Sequence, residues 1–96
     1  MAEDRDAVIR ADELDMVAIW CGEHVSSTTE PIASSLMFFA SAIVQTKNII
    51  FASGVINLPQ QHRGHLAARM ANCDHMCRGQ NITGIGAGGL LSDFKL

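Results

Sequence analysis

Basic character is missing from this chain as a pattern. Its seven Lys and Arg are scattered among ten Asp and Glu, giving a net charge of −3 over 96 residues. No stripe of cations is available to neutralise phosphates, which argues against a nucleic-acid partner. Long apolar runs are missing as well. The stretch "SSLMFFASAIV" (34–44) is interrupted by Ser and falls short of the roughly 20 residues that a membrane helix needs. The start, "MAEDRD", is acidic where a secretory leader is basic, and no apolar segment follows it. Cysteine is scarce and odd in number: Cys21, Cys73 and Cys77 read as reduced thiols in a cytoplasmic setting. Linkers, low-complexity tracts and charge blocks are all lacking, so residues 1–96 read as one small domain.

What the chain does have is apolar content: 48% of residues are hydrophobic and only 18% charged. Its periodicity alternates. Residues 3–14 place Val8, Ala11 and Leu14 three apart among charges, which predicts an amphipathic helix. "MVAIWCG" (16–22) is a continuous apolar run closed by Gly, the pattern of a strand buried on both faces. Leu36, Phe39, Ala40, Ile43 and Val44 then recur at helical spacing behind Ser34 or Ser35, either of which suits an N-cap. "NIIFASGVINL" (48–58) predicts a second strand, ended by "LPQQHRG". Leu66, Met70 and Cys73 mark a helix over 65–76 with a stop at Gly79, and "ITGIGAG" (82–88) predicts a third strand entering glycines. The order α, β, α, β, α, β implies parallel strands joined by helical crossovers, an α/β fold. Two open sheet edges would remain, as in a piece of a larger sheet or barrel.

In such folds chemistry collects on the loops that follow the strands. Those loops carry Glu23 and His24, then His62 and His65, then the glycines and Asp93. A neutral imidazole at His24 suits general acid or base work near neutral pH, whereas a bland reading makes it a loop residue. Glu23 reads as a partner for local backbone, and His62 and His65 as solvated or helix-start residues. Gly84, Gly86 and Gly89 formally match G-x-G-x-x-G, which admits a dinucleotide site, a phosphate or cofactor rim of another α/β fold, or close packing. His62, His65, Cys73 and Cys77 follow no common zinc order, so no metal is assigned.

The assembled segments resemble the bacterial luciferase-like flavin-dependent monooxygenases, in particular their limonene monooxygenase-like branch. The resemblance rests on "ADELDMVAIWCGEHV", on "EPIASSLMFFASAIVQTKNIIFASGVINLP" and on "CDHMCRGQNITGIGAGGLLSDFKL". It implies a (β/α)8 TIM barrel, of which this chain supplies about three βα units, as a single incomplete segment without the family's first strand. It also implies an oxidoreductase that uses reduced FMN, or a related flavin or deazaflavin, and O2 on a small organic substrate, with a flavin reductase or NAD(P)H as electron source. By motif His24 matches the family's active-site histidine. Gly54 and Val55 match a strand-end pair joined by a cis bond against the flavin, and Gly86 and Gly88 match the turn beside it. Val25, Arg63, Cys77 and Gln80 depart from the family pattern. The resemblance implies a segment inactive by itself. The alternative is a small non-catalytic α/β module that buries its open edges by self-association.

Overall fold

The computed structural model describes residues 2–24 and 32–87. Helix α1, Ala2–Glu13, buries Val8 and ends where Asp15 turns into the left-handed region at φ 60°. Strand β1, Ala18–Cys21, follows. Helix α2, Ser35–Ile43, is capped by Ser34, whose hydroxyl accepts the Met37 N–H at 3.3 Å. Of the two serines available for that cap, Ser34 takes it because Ser35 is engaged elsewhere. Strand β2, Ile50–Asn57, runs into a 3-10 turn, Leu58–Gln60, built around Pro59.

Helix α3, Arg63–Met76, starts two residues before the predicted His65. The His62 ring accounts for the difference: its Nδ1 accepts the N–H groups of Gly64 and His65 at 3.1 and 3.3 Å, acting as the cap. Arg78 and Gly79, at φ 56° and 79°, reverse the chain after α3, and strand β3 spans Asn81–Gly86.

The three strands lie in the order β1-β2-β3, parallel throughout. Right-handed crossovers therefore bring α2 and α3 to the same face of the sheet. One apolar core results, with the ring of Phe39 of α2 tilted against that of Phe51 of β2 at 5.2 Å, alongside Val8, Cys21, Leu36, Ile49, Ile56, Leu66 and Cys73. An open doubly wound sheet reverses its strand order and carries helices on both faces, whereas a barrel wall is wound in one direction. This chain has the second arrangement: it is a partial (β/α)8 barrel.

The single helical layer corrects one expectation. β1 is not buried on both faces: Cys21 points into the core, while Trp20, on the opposite face, is 65% exposed. Register defines that opposite, interior face. Trp20 pairs with Ala52, and Ala52 with Ile82, so one row crosses all three strands. Beyond it, the pairing of Cys21 with Ser53 brings Gly22 beside Gly54, at the point where the register of β2 with β3 is interrupted.

At the other end of the strands, Asp12 closes the layer. Its carboxylate accepts the N–H groups of Lys47, Asn48 and Ile49 at 2.8, 2.9 and 2.9 Å, fixing the end of α1 to the start of β2. The Asn48 contact, helped by those of Lys47 and Ile49, holds the Asp12 carboxyl below its ordinary value against the opposing effect of desolvation.

Candidate functional site

The interior face is shaped by what its glycines avoid. A Cβ on Gly54 would stand 3.0 Å from Cε3 of the Trp20 indole, so that ring occupies the space over Gly54. A Cβ on Gly22 would approach the Gly54 carbonyl oxygen at 3.2 Å, and one on Gly86 would meet Cγ2 of Val55 at 2.9 Å. At Gly84 a Cβ would overlap the Ser53 carbonyl oxygen. Gly54, Val55 and Gly86, all three singled out by the family resemblance, are thus brought together with Gly22 and Trp20.

β2 carries an irregularity at this point. Ser53 pairs with Thr83, yet the next pair is Ile56 with Ile85, so β2 spends one residue more than β3 between them. The Gly54–Val55 peptide is cis. Where the ladder slips, the Ser53 hydroxyl substitutes for it: the Gly84 N–H donates to Ser53 Oγ at 3.0 Å, and Ser53 Oγ donates to the Gly84 carbonyl at 3.2 Å. Buried backbone groups thereby keep partners through the bulge. Gly84 and Gly86 lie inside β3 rather than in a turn opening a helix. That placement corrects the dinucleotide alternative, and close packing against β2 accounts for both glycines. Gly88, Gly89 and Asp93 lie outside the described residues.

His24 follows β1 and is half-buried, with its N–H donating to the Ile32 carbonyl at 3.1 Å. Glu23 holds this loop in place. It is only 5% exposed, and its Oε2 accepts from the N–H and hydroxyl of Ser35 at 2.8 and 3.0 Å. Its Oε1 accepts from the Asn57 N–H and from Nε2 of Gln61, each at 3.3 Å, and the Glu23 carbonyl accepts from Asn57 Nδ2 at 2.8 Å. One carboxylate therefore joins the end of β1, the first turn of α2 and the exit from β2. Gln61 extends the chain of contacts by accepting from Arg69 of α3. The expectation that Glu23 serves local backbone was too narrow, because Asn57 and Gln61 are 34 and 38 residues away.

The other histidines sit apart from the interior face. The His62 and His65 rings lie 4.8 Å apart, tilted against each other, at the exposed start of α3, where they line an open cleft of about 710 Å³ with Ser34, Arg69 and Glu23. Cys73 and Cys77 lie toward the far end of that helix, buried, with sulfurs 3.9 Å apart. At 1.5 Å of rise per residue, Cys77 is about 18 Å along the axis from His65, so these four side chains do not converge.

Trp20 escaped notice in the sequence because "MVAIWCG" offers no alternation from which to tell one face from the other. Asn57 and Gln61 carried no signal, since their importance depends on a distant partner.

A sequential, singly wound parallel sheet with glycines on its interior face beside a histidine loop defines the class: part of the wall of a (β/α)8 barrel. Residues 2–96 match the luciferase-like monooxygenase family, and the chain belongs to it. It is 38% identical over 94 residues to limonene 1,2-monooxygenase of Rhodococcus erythropolis, covering 98% of this chain and 24% of that protein. The structure superposes with a TM-score of 0.88 and 32% identity on the oxygenating constituent of 3,6-diketocamphane monooxygenase of Pseudomonas putida, solved in complex with FMN. That match covers 92% of this chain and 24% of the other. A monooxygenase of Streptomyces bottropensis shares the fold, with a TM-score of 0.83 at 23% identity. The chain thus spans about a quarter of the length of these relatives. Among the described residues no helix is long and apolar enough to cross a membrane.

Proposed function

We infer that this chain forms one wall of the flavin site in a luciferase-like monooxygenase, with His24 at the reacting atoms and Gly54, Val55, Gly86 and Gly88 against the flavin. The observation that carries the reading is the clustering of Gly22, Gly54, Gly84 and Gly86 around the irregularity of β2, next to the loop that Glu23 anchors. That surface fits a flat ring: it is apolar, it is bounded by Trp20 and Val55, and Gly22 and Gly54 are exposed. A relative of the same fold holds FMN.

Reduced FMN, or a related flavin or deazaflavin, supplies the two electrons that activate O2 when bound. One oxygen atom enters a small organic substrate and the other leaves as water with two protons. The chain's own part is to orient and to handle protons. The clustered glycines let a planar group approach the strands, and the His24 imidazole accepts or returns a proton at one of its ring nitrogens. Glu23 fixes the loop through Ser35, Asn57 and Gln61, so that the imidazole is placed before substrate arrives. Electrons would come from a flavin reductase partner or NAD(P)H, in the cytoplasm.

Three strands do not enclose a ring, so the 96-residue chain is expected to be inactive alone. The test is flavin titration and reductase-supported oxygen consumption, comparing the chain with a barrel in which this segment is completed by the remaining strands of a relative. Flavin binding and turnover by the completed barrel alone is the expected result. A completed barrel that folds and binds no flavin would overturn the reading.

A second reading is favoured by Ile82 and Ile85 of β3, which are 44% and 55% exposed. Here the chain is a non-catalytic module that pairs its sheet with a second copy. Light scattering on the eluting chain separates the two: a monodisperse monomer removes the self-association reading.

A further inference from the structure

We propose that Cys73 and Cys77 form a binding site for a soft monovalent cation, Cu(I), within the helical layer and apart from the glycine cluster. The two thiols lie one turn apart on α3, each 2% exposed, with their sulfurs 3.9 Å from one another. They are enclosed by this chain's own residues, so the site does not wait on the remaining strands of a barrel.

The spacing distinguishes a bridging ion from a disulfide. Cβ atoms four residues apart on a helix stand about 5 to 6 Å from each other, beyond the roughly 3.5 to 4.5 Å that a disulfide spans. Two metal–sulfur bonds of about 2.3 Å close on sulfurs 3.9 Å apart at an angle of about 116°, between the tetrahedral and trigonal values. An ion therefore fits between these thiols with the helix as it stands.

The donors select the ion. Paired thiolates are soft ligands, which favour Cu(I). Met70, three residues before Cys73 and packed against the same core cluster, brings a thioether as a third soft donor on that side of α3. Zinc requires four ligands, and among the described residues no three of His, Cys, Asp and Glu gather to supply them. Burial keeps both thiols protonated near neutral pH, so binding is an exchange: Cu(I) enters, two protons leave, and no electron is transferred. The complex carries one negative charge, and Arg78, next to Cys77, is the cation that offsets it.

The test incubates the 96-residue chain with Cu(I) in the absence of oxygen, against a chelator that competes for the ion, and isolates the loaded protein by gel filtration. X-ray absorption at the copper edge then reads the neighbours of the metal. One copper per chain, with three sulfur neighbours and no nitrogen, is the expected result. Cys73→Ser and Cys77→Ser should each weaken copper at least about a hundredfold, beyond the loss typical of residues behind the ligands. Met70→Leu should weaken it less and lower the sulfur count to two. Nitrogen neighbours in the parent overturn the site whether or not the variants fold. Copper retained by the double variant Cys73→Ser, Cys77→Ser overturns it as well, because Cys21 is then the remaining thiol. Two sulfurs in the parent overturn the part given to Met70 and leave the cysteine pair.

Discussion

Oε2 of Glu23 is held by Ser35 twice, by the backbone N–H at 2.8 Å and by the hydroxyl at 3.0 Å. The pairing satisfies an orphan donor in the first turn of α2 with an acidic side chain, the arrangement favoured at a helix N-terminus. It also fixes where the chain goes after β1. Since the four groups that meet Glu23's side chain among the described residues are donors, Glu23→Gln turns an acceptor into a donor against them. Loss of about 2 to 3 kcal/mol is expected, read as a lower urea midpoint. Ser35→Ala, which removes one donor, should cost about 1 kcal/mol. Equal stability of Glu23→Gln and the parent would remove Glu23 from its place at the centre of the loops.

Glycines 84 and 79 should respond to alanine for different reasons. At Gly84 the new Cβ overlaps the Ser53 carbonyl, which is backbone and cannot step aside, so β2 and β3 must separate. A loss of about 3 kcal/mol or more is expected. At Gly79 nothing lies within 4 Å of the added carbon, and the cost is that of a side chain at φ +79°, about 1 kcal/mol. Thermal unfolding of the two variants checks the order, and Gly84→Ala proving the milder would contradict the packing of β3 on β2.

The order of helices and strands was legible because apolar spacing changes visibly between "MVAIWCG" and "SSLMFFASAIV", and turns follow each. The loop position of His24 followed from that order alone. What stayed hidden depends on register. No local pattern states that Trp20, Ala52 and Ile82 share a row, or that Gly84 must clear Ser53, since each pairing is decided by strands far apart in the chain. The early start of α3 was hidden for a smaller reason: a histidine is an uncommon N-cap, and Ser, Thr, Asp and Asn are the residues that announce one.

Acid should loosen the end of the domain that Asp12 closes. Its carboxyl is held below the ordinary 3.8 in the folded chain, so the stability it contributes is complete above that value. It is lost as pH falls through the folded value. Urea midpoints measured from pH 6 downward should therefore decline below about pH 4. Asp12→Asn should be less stable at pH 6 and show a flatter decline. A slope unchanged in Asp12→Asn would mean that other carboxylates carry the acid sensitivity.

All three thiols are buried, and burial pushes Cys21 up to about 11, Cys77 up to about 12, and Cys73 upward as well. Thiolate is the reactive form, so the native chain should resist Ellman's reagent at pH 8, and all three should react in concentrated urea. Rapid labelling of the native chain would show that α3 or β1 opens far more readily than its packing implies.

The most direct measurement of the account is turnover and flavin affinity of a completed barrel carrying His24→Ala, beside the same barrel with His24. A positioned acid or base contributes about a hundredfold to ten-thousandfold in rate, so turnover should fall by that order. Flavin affinity should stay within about twofold, because in the proposed site the imidazole addresses the reacting atoms while the glycines of β2 and β3 meet the ring. Turnover within about twofold of the parent would contradict the account and leave His24 as an ordinary loop residue.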